Sequence, residues 1–364
     1  MVPDYEHSIL NVTATILTHY KAETPYKTLP ILEEALKDKQ HIVLVLLDGM
    51  GVNILYKHLF KDAFLIRYLK DVITSVFPPT TVAATTTVLS GLPPFASGHL
   101  GWVQYFPRED LNIALFPNQD FYDSQKNLNM NFKDKYLKYP SIYEQIKHAS
   151  PEVSLSELFP SFREDGYLTF KDQVDRVIDI TRKKDNSFTY VYWTEPDMTQ
   201  HHYGVDAYST RKTLYDLDQE VERMAFFCAR GTTIVVIADH GLTDVQEIPI
   251  LQNEALMNML RNKPSIEARA TTFFVKHNEL KNFKELFENT YGKHFMLLSK
   301  QELYDKKLLG DGKKHKLLDQ FIGDYIAIAT SNQMFSMSKE RPFVAHHAGL
   351  TKEEMEVPLI IFSK

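Results

Sequence analysis

A single cysteine, Cys228, stands in a chain of 364 residues, so no disulfide can form within it. Disulfide-stapled scaffolds are excluded, and the expected compartment is the reducing cytoplasm. Long apolar runs are missing as well: no stretch approaches the ~20 residues that a helical membrane span requires. The opening MVPDYEHSILNVTATILTHYKAE has neither a basic head nor an unbroken apolar segment, and the expectation is no signal peptide and no membrane partner. Basic charge is not in excess. With a formal net charge of −6, the chain lacks the positive field that a nucleic-acid polymer selects. Small anions remain admissible where cations are supplied locally. Oligomeric state is left open by these features.

What is present is the alternation of apolar strands and amphipathic helices. HIVLVLLDGMG (41–51) carries six consecutive apolar residues, Ile42 to Leu47, and stops at Asp48. An uninterrupted run of that length suits a strand buried on both faces, and a carboxylate at its carboxyl end lies where open α/β sheets bind ligands. Around it, residues 7–20 and the segment opened by Pro30 read as helices. A helix is expected from Ile54 to Leu69 and a short strand at 71–77. SIYEQIK, the segment carrying Phe170, Val174, Val177 and Ile178, and the segment from Leu214 to Cys228 have helical spacing; VSLSEL, Phe188–Trp193, TTIVVIADHG and VPLIIF read as strands. The expected fold is therefore α/β, a mainly parallel central sheet sandwiched by helices. Residues 92–137, rich in Pro, Gly and Asn, read as a long excursion over the ligand-binding edge. Residues 246–335 read as a small α/β insertion or cap, leaving 1–245 and 336–364 as the catalytic domain.

Several strand ends present metal-type ligands: Asp48, Asp197 with His201, Asp239 with His240, and His347 on the last loop. Oxygen and imidazole nitrogen without thiolate suit a first-row divalent ion; three imidazoles favour zinc over manganese. After Pro78 and Pro79, TTVAATTTVLSG can form a helix with Thr81 at its N-terminus, where free N–H groups and the dipole favour an anion. Divalent cations held by these carboxylates would place local positive charge on an otherwise acidic protein, which draws in phosphate.

LLDGMG, FPPTTVAATTTVLSGLPP, EPDMTQHHYG, ADHGLTD and HAGLTKEEMEVPL, in that order, resemble the alkaline phosphatase superfamily and its nucleotide pyrophosphatase/phosphodiesterase branch. The resemblance implies an alkaline-phosphatase-like fold and two zinc ions, one held by Asp197, His201 and His347, the other by Asp48, Asp239 and His240. It also implies Thr81 as the nucleophile of a phosphothreonine intermediate, with Thr80 and Thr85 to Thr87 as competing hydroxyls. In the family an Asn downstream of the nucleophile holds a phosphate oxygen; the corresponding residue here is Trp102, which opens the question of a nucleotide substrate.

The expected function is hydrolysis of a small phosphorylated substrate, such as a nucleotide, by a phosphodiesterase or nucleotide pyrophosphatase. Trp102 is expected to face a base or leaving group. Alternatives are a phosphomonoesterase or phosphonate hydrolase, for which Arg108 would supply the extra cation, and a non-catalytic binding protein on the same fold. The basic loop KKLLGDGKKHK is expected to be a solvated surface segment.

Overall fold

The computed structural model describes residues 1–183, 185–337 and 343–364. Positions 338–342, within the expected second catalytic segment, and Lys184 lie outside the described residues. The strand His41–Leu47 is wholly buried. It lies inside a six-stranded sheet in the order Leu69–Thr74, Glu356–Ser363, Thr232–Ile237, His41–Leu47, Ser187–Trp193, Ser154–Leu158. His41–Leu47 runs parallel to both neighbours, with Leu47 opposite Trp193 and Leu46 opposite Ile237. Three chain segments therefore leave the sheet at the same edge, which carries Asp48, Asp197 and Asp239 to one place. Glu356–Ser363 is antiparallel to both of its neighbours.

Helices Ile9–His19, Phe170–Thr181 and Tyr208–Phe227 bury their apolar stripes in the core of this sheet. The result is the expected α/β architecture of a central sheet flanked by helices. Cys228 follows the Tyr208–Phe227 helix as its C-cap and is a buried free thiol.

Two expectations along the chain change. The helix expected over 54–69 is two short helices, Val52–His58 and Phe64–Arg67, and the next strand already starts at Leu69. The break is stabilised from far away: the Asp218 carboxylate accepts from Phe64 N at 3.3 Å and Leu65 N at 2.7 Å, capping the second helix. Apolar spacing across the break hides that distant cap.

The 92–137 segment is more than an excursion. It contributes Val103–Phe106, Leu111–Ala114 and Gln119–Asp120 to a second, antiparallel sheet, whose other strands are Leu260–Ile266, Ala270–Val275, Tyr325–Ala329 and Phe295–Ser299. Strands of two to four residues in a meander carry no long apolar run, which is why periodicity misses them. Leu100, Phe106, Ile113 and Phe132 pack with Ile266, Phe321 and Ile328 in its core.

Candidate active site

The site is assembled by backbone contacts between strand ends. Asp48 N donates to Trp193 O and Asp197 N to Asp48 O, each at 2.9 Å, so the loop after Ser187–Trp193 lies directly on the end of the central strand. Gly49 permits this approach: its φ is +70°, and a Cβ there would stand 2.8 Å from Asp197 Cα. Asp197 opens the helix Asp197–Tyr203, and His201, four residues on, shares its face. His347 arrives on the loop after Ala345–His346, which pairs with Thr243–Asp244.

Thr81 is the first residue of the helix Thr81–Ser90, and its N-cap residue, Thr80, makes no side-chain cap hydrogen bond. The extended N-cap residue, Thr80, donates its hydroxyl elsewhere, to Glu267 Oε1 at 2.6 Å. Thr81 Oγ1 stands 3.2 Å from His240 Nε2 and 3.5 Å from Asp48 Oδ1. The hydroxyls of Thr85 and Thr87 turn back onto their own helix, to the carbonyls of Thr81 and Ala83.

Among the described residues two groups of potential ligand atoms form, each within 4.8 Å: Asp197, His201 and His347, and Asp48, Asp197 and His240. The first coincides with the triad that the resemblance implies. In the second, Asp197 stands where Asp239 was expected; Asp239 lies alongside, its Oδ2 3.4 Å from His240 Nε2. All six side chains are buried.

The residues fit divalent ions on two grounds. His201, His240 and His347 each direct Nδ1 at a backbone carbonyl, Ala345 O at 2.7 Å, Gly241 O at 3.2 Å and Pro79 O at 3.2 Å. An Nδ1–H held this way leaves the Nε2 lone pair as the free ligand atom, the arrangement that orients histidines at metal sites. Asp197 Oδ1 and Asp239 Oδ2 are buried without a hydrogen-bond partner, a cost that a coordinated cation would remove.

The electrostatics agree. Burial, followed by repulsion from Asp239 and Asp197, holds the Asp48 carboxyl well above its usual range, and burial raises Asp239. Burial also pushes Asp197 up and His201 down, but their mutual attraction at 3.3 Å outweighs it, leaving Asp197 lowered and His201 raised. Burial and the surrounding imidazoles keep His347 neutral, as a ligand must be.

Trp102 and Arg108 part company. Trp102 donates its backbone N–H to Glu267 Oε1 at 2.6 Å, and its exposed ring meets Phe116 edge-on at 5.7 Å. Arg108 is not brought to the cluster. It is exposed in the 107–110 turn that joins Val103–Phe106 to Leu111–Ala114, at the far end of the strand that starts beside Trp102. Hairpin geometry, invisible in a segment read as a loop, carries it away. His202 is exposed, and His99 is buried against Tyr139.

Sequence reasoning missed two buried residues here. Tyr192 donates its hydroxyl to Asp48 Oδ2 from the neighbouring strand. Its position near the end of a strand that pairs in register with the Asp48 strand was the available signal. Glu267 gave no local signal, because it follows a strand of the second sheet. The basic loop lies elsewhere: Lys313, Lys314, His315 and Lys316, with Lys135 and Lys138, line a separate cleft of about 470 Å³.

The sequence profile of the family "Type I phosphodiesterase / nucleotide pyrophosphatase" matches residues 42–351. Human ectonucleotide pyrophosphatase/phosphodiesterase family member 5 is 24% identical over 239 residues, 59% of this chain and 47% of that protein. The match thus spans about half the length of that relative. Among solved structures, the murine ectonucleotide pyrophosphatase/phosphodiesterase 5 in an inactive form with AMP is similar with a TM-score of 0.65 and 18% identity, over 89% of this chain and 87% of that one. Phosphonoacetate hydrolase from Sinorhizobium meliloti with phosphonoformate gives a TM-score of 0.63 and 14% identity, over 89% and 90%. The chain belongs to the type I phosphodiesterase/nucleotide pyrophosphatase family, whose members are hydrolases of phosphodiester and pyrophosphate bonds.

Proposed function

We propose that this protein is a metal-dependent phosphodiesterase that works through a phosphothreonine intermediate on Thr81. The observation that carries the reading is the position of Thr81 Oγ1, on a helix N-terminus and 3.2 Å from His240 Nε2 at the edge of the ligand cluster. Asp197, His201 and His347, and Asp48, Asp239 and His240, would hold two divalent cations, zinc in the first place and manganese as the alternative, which supply Lewis-acid charge against the phosphate and lower the pKa of the Thr81 hydroxyl. Thr81 Oγ1 lies beside Asp48 Oδ1 and His240 Nε2, atoms of the residues that would hold a cation. The free N–H groups of the helix's first turn point at the phosphate and favour its developing charge. Attack forms the Thr81 O–P bond as the ester P–O bond breaks, the hydroxyl proton ending on the departing alcohol. Water then cleaves the Thr81 O–P bond, releasing the monoester and restoring the hydroxyl. The murine relative described as inactive carries alanine in place of a threonine, which supports a threonine nucleophile here.

A small phosphate diester is the substrate class that suits the site. The exposed Trp102 ring, edge-on to Phe116, offers an apolar face for a base or aryl leaving group. The AMP held by the murine relative supports a nucleotide-like substrate. Among the described residues Arg108, exposed in its distant turn, does not supply the added guanidinium that a dianionic monoester usually needs. The likeness to phosphonoacetate hydrolase keeps a phosphonate as the second reading.

Steady-state kinetics on bis-p-nitrophenyl and mono-p-nitrophenyl phosphate test the proposal. Diesters should lead in kcat/KM by about tenfold, or about 1.4 kcal/mol of transition-state binding. A protein that takes up divalent metal and hydrolyses neither ester would leave only a binding role.

A further inference from the structure

Glu267 is buried at the end of the Leu260–Ile266 strand, and one of its oxygens joins both sides of the site. Oε1 accepts from Thr80 Oγ1 at 2.6 Å and from Trp102 N at 2.6 Å. The first donor belongs to the residue immediately before Thr81; the second is the backbone N–H of Trp102. Glu267 is also close enough to Asp197 and His201 for their charges to act on it. Among the described residues no Lys or Arg forms an ion pair with it.

A purely structural role does not require this charge. Glutamine could accept both hydrogen bonds through its carbonyl oxygen, and a buried carboxylate without a cation is costly to desolvate. Burial indeed raises its pKa to about 7, while the two short donors pull the other way and favour the ionised form. Cations held by the neighbouring cluster would add to that pull. Once ionised, at mildly alkaline pH, a carboxylate in this wall acts on whatever enters beside Thr81.

We propose that Glu267 is a specificity-determining residue: its carboxylate, placed between Thr80 and Trp102, disfavours a second negative charge on the phosphate and so selects singly charged diesters over monoesters and free phosphate. This rests on the reading that phosphate binds at Thr81. The effect is Coulombic and acts in a low-dielectric wall, so it reaches the phosphate without direct contact.

Glu267→Gln removes the charge and keeps an acceptor for both donors. Binding of orthophosphate and dimethyl phosphate to the metal-loaded protein is measured by calorimetry at mildly alkaline pH, where orthophosphate is a dianion. Orthophosphate should bind about tenfold tighter to the variant, with dimethyl phosphate changed less than about twofold. The diester-to-monoester ratio of kcat/KM should fall by a similar factor. Unchanged affinities, or equal weakening of both ligands, would overturn the proposal and leave a structural glutamate. Glu267→Asp keeps the charge, so it should keep the discrimination even where turnover drops; discrimination lost in that variant also overturns it. If neither ester is hydrolysed by the wild type but orthophosphate tightens in Glu267→Gln, the hydrolase reading fails and this one stands. If esters are hydrolysed and the ratio does not move, this inference fails alone.

Discussion

Arg269 and Glu354 form a fully buried, two-pronged ion pair, with Nε to Oε1 at 2.6 Å and Nη2 to Oε2 at 2.7 Å. Arg269 also donates to Gln333 O and Ser331 O, while Glu354 accepts from Gly349 N and from Thr351. The pair thereby fastens the loop that carries His347 to the second sheet. Removing one partner would strand the other charge in the interior. Arg269→Met should lower unfolding stability by roughly 3–5 kcal/mol, read by urea denaturation, and Glu354→Gln by less because its hydrogen bonds are partly retained.

His347→Ala leaves one of the two ligand groups with Asp197 and His201 alone. Elemental analysis of the purified variant should find about one divalent ion fewer per chain than the wild type. Unchanged metal content would remove His347 from the ligand set.

Thr81→Ala should keep its fold and its metal while losing turnover, since its hydroxyl borders the cluster and is not a core contact. Thr81→Ser should retain part of the activity. Full activity in Thr81→Ala with none in Thr80→Ala would move the nucleophile by one residue, and rapid-quench detection of the phosphorylated position would show which hydroxyl reacts.

Tyr192→Phe removes the hydroxyl that Asp48 Oδ2 accepts. That hydrogen bond favours the ionised Asp48 against burial. Its loss should weaken metal affinity by about tenfold, measured by competition with a chelator of known affinity.

In the metal-free protein the Glu267 carboxyl is raised by burial from 4.5 to about 7. A raised acid holds its proton longer in the folded state than in the unfolded one. Its contribution to stability is therefore full below pH 4.5 and is lost as pH rises to about 7. The loss is on the order of 3 kcal/mol. Denaturation of metal-free wild type and Glu267→Gln across that range should show the wild type losing stability relative to the variant; parallel curves would contradict the shift.

The sequence alone determined the elements whose cause is local. Ile42 to Leu47 can satisfy six apolar side chains only inside a sheet, and Asp48 follows because the apolar run ends there. The four-residue step from Asp197 to His201 puts both on one helix face, and Pro78 and Pro79 delay the helix so that it starts at Thr81. Tertiary structure decided what depends on distant partners. The helix over 54–69 breaks where Asp218 caps a second start. The short strands of 103–120 exist because Leu260–Ile266 offers an edge to pair with, and the hairpin they form removes Arg108 from the site. Asp197, rather than Asp239 alone, stands between both ligand groups because its backbone lies on Asp48, with Gly49 allowing the approach. Glu267 enters from the other sheet altogether. Hydrophobic periodicity encodes which face of an element is buried, whereas the neighbour that covers that face, and the polar atom it delivers, is specified only when the sheets assemble.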